Sequence, residues 1–322
     1  MQTVYRPALT MLILLSAATA PQAQPYPNKP IRILVGFAAG GPTDVAARLL
    51  SQRLTERWGQ PVVVEPRTGA GGNIAAETVA KAAADGYTLL LPAFAHAVNP
   101  ALYANLPFDT ERDFAPVALL TTSANVLAVH PSVPARNVGE LITLARSKPG
   151  QLTYGSAGVA SASHLAGELL NSMARIKLTH IPYKGAAPAS VDLVGGHISA
   201  AFPSVALASP HAKAGRLRVL GIASLKRAEN LPEIPTIAEA GVPGFEVLSW
   251  YGLLAPAGTP ADIITRLNQE VTRSLNEAEA VERLRAIGAE PMKSTPAEFN
   301  VFLKNEMAKW AKVIRSAGVR GN

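Results

Sequence analysis

Apolar residues along this chain follow two alternating rhythms. Short apolar runs at Ile31–Val35, 62–65, Thr88–Leu91, Val126–Val129, 152–154 and 217–223 predict strands. Between them, apolar residues recur every three or four positions, which predicts amphipathic helices over 43–57 and 73–83. In the first of these the stripe is Val45, Ala46, Leu49, Leu50 and Leu54. Strand and helix rhythms in alternation are the signature of a parallel α/β architecture. Several helix starts carry capping chemistry. Asn137 and Thr236 are each followed three positions later by Glu. Thr259 and Thr295 each precede a proline, the residue favoured at the first helical position. The last start opens a long terminal helix with Phe299, Phe302, Leu303, Trp310, Val313 and Ile314 on one face, read as core packing.

Two segments look like crossings between lobes. One is 125–131, an apolar strand that ends in His130-Pro131; the other is 245–256, where a Gly- and Pro-rich loop gives way to a strand. They predict one lobe made of 125–245 and another made of 24–124 together with 246–322. Residues 1–23 read differently. Arg6 is their only charge, an apolar run covers 8–18, and small residues follow. That is the layout of a secretory signal peptide, and its apolar run falls short of the roughly 20 residues a membrane span needs. Cleavage is expected within 18–24, leaving a soluble, exported chain.

Composition narrows the classes further. A length of 322 residues suggests two domains with real cores, and 48% hydrophobic against 16% charged residues excludes a disordered polyelectrolyte. The chain has no cysteine, which excludes disulfides, thiolate nucleophiles, iron–sulfur clusters, Cys-based zinc sites and a lipoprotein anchor. The net charge is +7, one less without Arg6. Such a field speeds capture of small anions, but without a basic stripe interleaved with aromatics no nucleic-acid partner is expected.

The most informative device occurs three times: a strand, a loop of tiny residues, then a helix start. The loops are 37–44 (F-A-A-G-G-P-T-D), 69–73 (G-A-G-G-N) and 154–165 (Y-G-S-A-G-V-A-S-A-S-H-L). Glycine permits close backbone approach and positive φ, and the first turn of a helix offers unpaired N–H groups and a partial positive charge, so an anion binds without a basic side chain. Hydroxyls of Thr43, Ser156, Ser161 and Ser163 add donors suited to carboxylate oxygens. Each loop taken singly also reads as an ordinary α/β turn with a capping residue. Two such loops in one lobe and one in the other favour donors on both walls of a cleft. Asp44 is read as structural, complementing the helix dipole and turned away from the ligand. Phe37, Phe202 and Tyr251 are side chains expected to shape the pocket, and Tyr251 also reads as ordinary hinge packing.

Enzyme signatures are incomplete. Ile74 stands where a dinucleotide fingerprint places its third glycine, and Gly41-Pro42-Thr43 lacks the phosphate-loop lysine. No nucleophile elbow surrounds Ser156, and the six histidines show no metal-ligand spacing. No cofactor or metal is expected.

Over nearly the whole mature chain, from Tyr26-Pro27-Asn28-Lys29-Pro30 to Lys309-Trp310-Ala311-Lys312-Val313, the sequence resembles the tripartite tricarboxylate transporter receptors, or Bug-type extracytoplasmic solute-binding proteins. The resemblance is carried by the 37–44 and 69–73 loops and by D-G-Y-T-L (85–89), N-P-A-L-Y (99–103), S-H-L-A-G-E-L (163–169), P-Y-K-G (182–185) and W-Y-G-L-L-A-P-A-G-T-P (250–260). It implies a two-domain periplasmic-binding-protein fold of the type II kind, with a ligand cleft between lobes joined by crossing strands. It also implies capture of a small organic anion by a monomer, with delivery to a permease of one large and one small membrane subunit. The residues it places at the ligand are Gly40, Gly41 and Thr43 of the first loop, in which Ala39 is a further candidate, and Ser156, Gly158, Ser161 and Ser163 of the third, with Asn73 and His96 near the pocket. Two departures stand out: Ala38-Ala39 where many members carry proline, and Phe202-Pro203-Ser204 where many carry Phe-Asp-Asn. With Ser204 there, the expected ligand is a dicarboxylate or an aromatic or aliphatic acid, not an amino acid. A secreted enzyme acting on a carboxylic acid through Ser156 or His164, and a ligand-sensing partner of a membrane receptor, are the alternative readings.

Overall fold

The computed structural model describes residues 26–37, 39, 42–228 and 231–319. The expected signal peptide, 1–23, lies outside them, as do the site candidates Gly40 and Gly41.

The first half runs β1 (Ile31–Val35), α1 (Pro42–Trp58), β2 (Val62–Pro66), α2 (Asn73–Ala80), β3 (Thr88–Leu91), α3 (Ala95–Leu102) and β4 (Phe114–Ala124). The chain then enters a second unit: β5 (Val126–Val129), α4 (Val138–Ser147), β6 (Thr153–Ser156), α5 (Ala162–Ala174), β7 (Thr179–Pro182), α6 (Ala186–Val194), β8 (Ala200–Ala201), α7 (Val205–Lys213) and β9 (Arg218–Ile222). It returns through β10 (Leu248–Pro256), α8 (Ala261–Leu275), α9 (Ala278–Ala286), β11 (Glu290–Pro291) and α10 (Pro296–Ala317). Two sheets result, in the orders β11-β4-β10-β3-β1-β2 and β7-β6-β8-β5-β9.

The expected alternation is present, but neither sheet is wholly parallel. β1 pairs parallel with β2 and β3, whereas β10 runs antiparallel to β3 and β4. In the other sheet β6 pairs parallel with β7 and β8, and β5 antiparallel with β8 and β9. The antiparallel strands are those that carry the chain between sheets, so they arrive from the direction opposite to a helical crossover. At the crossing the buried Asn125 donates from Nδ2 to the Phe202 carbonyl at 3.0 Å and accepts from the Ala223 amide at 2.8 Å.

Strand alternation explains the layering. Ile31, Ile33 and Val35 point to the face covered by Leu49, Leu50 and Leu54 of α1, while Leu34 packs with Ala75, Ala76 and Val79 of α2 on the other. Apart from Arg32, which pairs with Glu65 of β2, β1 is therefore apolar on both faces, as an interior parallel strand requires. The terminal helix α10 begins at a complete capping box between Thr295 and Glu298. Phe299, Leu303, Trp310, Val313 and Ile314 of its predicted stripe are buried, and Phe302 packs at the edge of the same core. α10 lies against α3 of the first unit and α5 of the second, so one apolar core runs through both.

One capping signal did not make a helix. Thr236 and Glu239 exchange the expected bonds, at 2.8 and 3.0 Å, but the segment is a turn. Gly241, at φ 112°, and Pro243 stop it there.

Candidate ligand-binding site

The loop between β6 and α5 folds on itself. Gly158, at φ 128°, occupies a backbone region that favours glycine. Its amide donates to Ser156 Oγ at 3.1 Å, and its carbonyl accepts from Ser161 Oγ at 2.7 Å. Ser163 Oγ accepts the Ala157 amide at 2.9 Å. Ser161 is the N-cap of α5, accepting the His164 amide at 3.2 Å. Ala160 holds φ 65°, and its amide donates to His164 Nδ1 at 3.0 Å. With these bonds made, the amides of Val159, Ala162 and Ser163 have no acceptor among the described residues. They sit where the α5 dipole is most positive, a ready place for a carboxylate.

The facing wall comes from the first unit. Thr43, in the first turn of α1, is buried close to Tyr251 of β10. Burial raises the Tyr251 phenol above its ordinary range, and the Thr43 hydroxyl partly offsets this. Asp44, in the same turn, pairs its carboxylate with Arg48 at 2.8 Å. Asn99 of α3 spends both amide protons inside the lobe, on Asn73 Oδ1 at 2.6 Å and the Gly71 carbonyl at 3.1 Å.

A cavity of about 370 Å³ opens between these walls. From the first unit it is lined by Phe37, Thr43, Gly71, Asn99, Tyr103 and residues 93–95, from β10 by Ser249, Trp250 and Tyr251, and from the second unit by Ala157 and residues 159–162. None of the lining residues carries a charge. Any anion held there meets peptide amides, hydroxyls and aromatic surface.

Phe37, Thr43, Ser161 and Tyr251 thus share one cavity. The other candidates among the described residues do not line it. Ala39 is exposed on the loop. Gly158 and the side chains of Ser156 and Ser163 shape the loop from behind, leaving only the main-chain amide of Ser163 at the α5 terminus; Ser156 is 1% exposed, with Oγ 2.6 Å from His180 Nε2. Asn73 lies behind Asn99. His96 is buried beside a small void of about 10 Å³ between Gly36, Gly72 and Asn99, stacked on Phe108. Burial pulls its pKa down to about 4. Phe202 and Ser204 need correcting. Phe202 is a core side chain stacked on Phe245, and Ser204 caps α7 by accepting the Leu207 amide. The crossing at Asn125 draws that segment into the sheet and away from the cavity.

Sequence reasoning passed over Asn99, Tyr103, Ser249, Trp250 and the 93–95 turn as site residues. The turn was discoverable: P-A-F-A after β3 is a fourth strand–loop–helix junction, with alanine in place of glycine.

Ser161 combines two duties, and substitution separates them. Ser161→Ala is expected to lower stability by about 1 kcal/mol through loss of the cap. Ser161→Asp keeps a cap but puts a carboxylate at the cavity. Its urea midpoint should stay near wild type while stabilisation by carboxylic acids disappears.

Comparison with known proteins shows which family the chain is similar to. The family model described as "Tripartite tricarboxylate transporter family receptor" matches residues 46–319. The UPF0065 protein in the tcbD-tcbE intergenic region of Pseudomonas sp. (strain P51) is 40% identical over 300 residues, spanning 93% of this chain and 89% of that one. Among solved structures, R. palustris Rpa4515 with adipate is 40% identical with a TM-score of 0.79, covering 92% of this chain and 99% of that one. MatC (Rpa3494) from Rhodopseudomonas palustris with bound malate is 34% identical with a TM-score of 0.76, covering 90% and 100%.

Proposed function

Since this chain belongs to the tripartite tricarboxylate transporter receptor family, we propose that it captures a small organic carboxylate between its two lobes in the periplasm and delivers it to a two-subunit membrane permease. The observation that carries this reading is the shared cavity, where Thr43 of one lobe and the Ser161 loop of the other face the same space. The lobes, 24–124 with 246–322 against 125–245, close about the crossings at Asn125 and the return into β10, and the bound anion supplies contacts to both walls. The working unit is a monomer.

Three amide bonds to a carboxylate, at roughly 1.5–3 kcal/mol each, give roughly 4.5–9 kcal/mol before ordering costs, so micromolar binding, about −8 kcal/mol, also draws on apolar contact with walls such as Phe37 and Tyr251. No acidic residue among the lining is there to receive an ammonium, which favours adipate-like dicarboxylates and aromatic or aliphatic acids over amino acids. The Ser156–His180 pair is the observation on the side of an enzyme, but Ser156 is sealed from the cavity and we read the pair as structural.

A thermal-shift panel of adipate, malate, citrate, benzoate and aspartate tests this. At a hundred times Kd the right acid should stabilise the protein by about 2.7 kcal/mol and be recovered unchanged by mass spectrometry. No shift with any carboxylate at millimolar concentration, or turnover of the acid, overturns the reading.

A further inference from the structure

The loop that offers the Val159, Ala162 and Ser163 amides rests on two histidines. Taking the receptor reading as its basis, we infer that His164 and His180 are positioning residues which hold this loop ready for ligand only while both are neutral, so that carboxylate capture is coupled to pH.

His164 Nδ1 accepts the Ala160 amide at 3.0 Å, so its single proton is on Nε2. A second proton has only Nδ1 to occupy. An imidazolium Nδ1–H cannot accept from a backbone N–H, so protonation breaks the bond to Ala160. Ala160 is an alanine held at φ 65°, where an L side chain is strained, and it lines the cavity. Without its tie to His164 the residue relaxes and the flanking amides lose their common direction.

His180 couples to the same event. Its ring stacks on His164 with centroids 3.9 Å apart and planes 16° from parallel, and its Nε2 is 2.6 Å from Ser156 Oγ, which receives the Gly158 amide. Two imidazolium rings at that separation repel strongly. The other titratable groups facing the pair are Glu168 of α5 and Tyr154 of β6; β7 carries none besides His180. Glu168 Oε1 lies 4.0 Å from His164 Nε2, and it accepts the Tyr154 hydroxyl at 2.6 Å. The Tyr154 ring stacks on His180 at 5.0 Å. Glu168 favours the charged imidazole, but burial outweighs it. Burial holds His164 at about 4, helped by its charge interaction with His180, and burial also holds His180 at about 4.

The sign follows from these depressed values. The closed loop binds fewer protons than an opened one, whose histidines titrate near 6.5. Closure is therefore complete above about pH 6.5 and is eroded as pH falls toward 4.

The test compares the wild type with His164→Asn, whose side-chain oxygen stands near the Nδ1 position and does not titrate. The probe is the tightest binder among adipate, malate, citrate and benzoate. Its own titration is common to both proteins and cancels in the ratio of their Kd values. Between pH 7.5 and pH 5 the wild-type Kd should rise about tenfold more than that of the variant. In the ligand-free wild type, hydrogen-exchange protection over 157–163, corrected for intrinsic rates, should fall over the same range. Parallel Kd profiles in the two proteins, or wild-type protection independent of pH, overturns the inference. The exchange measurement decides it even where His164→Asn does not fold. If no acid of the panel binds at pH 7.5, the receptor reading fails, while exchange still reports whether the histidines govern the loop.

Discussion

Ala162→Pro is expected to weaken carboxylate binding by about 10- to 100-fold while leaving the unfolding free energy from urea denaturation within about 0.5 kcal/mol of wild type. Ala162 is the first residue of α5, immediately after the Ser161 cap. Proline is welcome there because the residue donates no intrahelical bond and its φ already suits the ring. Ser161, at φ −67° and ψ 159°, has the extended geometry that a residue before proline requires. The substitution therefore deletes one peptide N–H and little else. A charge-assisted bond of about 1.5–3 kcal/mol is lost with it, which sets the size of the effect. Calorimetric titration of the tightest acid measures it, and unchanged affinity would remove the α5 terminus from the site.

Trp310→Ala should have the largest effect on the fold, about 3–5 kcal/mol by urea denaturation. Trp310 is fully buried, meets Phe94 edge-to-face at 5.0 Å, and donates from Nε1 to Glu306 Oε2 at 2.9 Å. Glu306, itself nearly buried, keeps Lys309 as a partner when the indole is gone, so the loss is chiefly the cavity left behind. That is a large part of the 5–15 kcal/mol a domain commonly has. Phe94 also lines the ligand cavity, so the truncation should raise Kd too. Trp310→Phe, which keeps most of the apolar surface, should lose less than half as much stability.

What the sequence disclosed and what it withheld divide along physical lines. β1, α1 and the stripe of α10 were legible because their signal is local: periodic side chains and caps within a few residues of each other. β8 and β11, two residues each, have no periodicity to read, and they exist because neighbouring strands supply the pairing. The turn at 236–241 shows the converse, a correct local signal cut short by the residues after it. At the site, the loop 157–163 was visible through its composition. Its supports were not: His180 reaches Ser156 from 24 positions away, and Asn99 meets Asn73 across 26. Phe202 and Ser204 were misplaced because a motif reports chemistry but not the direction in which the backbone carries it. There the crossing at Asn125 fixed the direction.

The uncharged lining has a bearing on redesign. A grip made of main-chain groups is indifferent to most mutations, since every amino acid except proline brings the same N–H. On the receptor reading proposed above, the walls that face the rest of the guest, Phe37, Tyr103 and Tyr251 among them, are ordinary side chains on separate stretches of chain. Selectivity would then be rewritten wall by wall with the anchor untouched, a route to sensors of new acids.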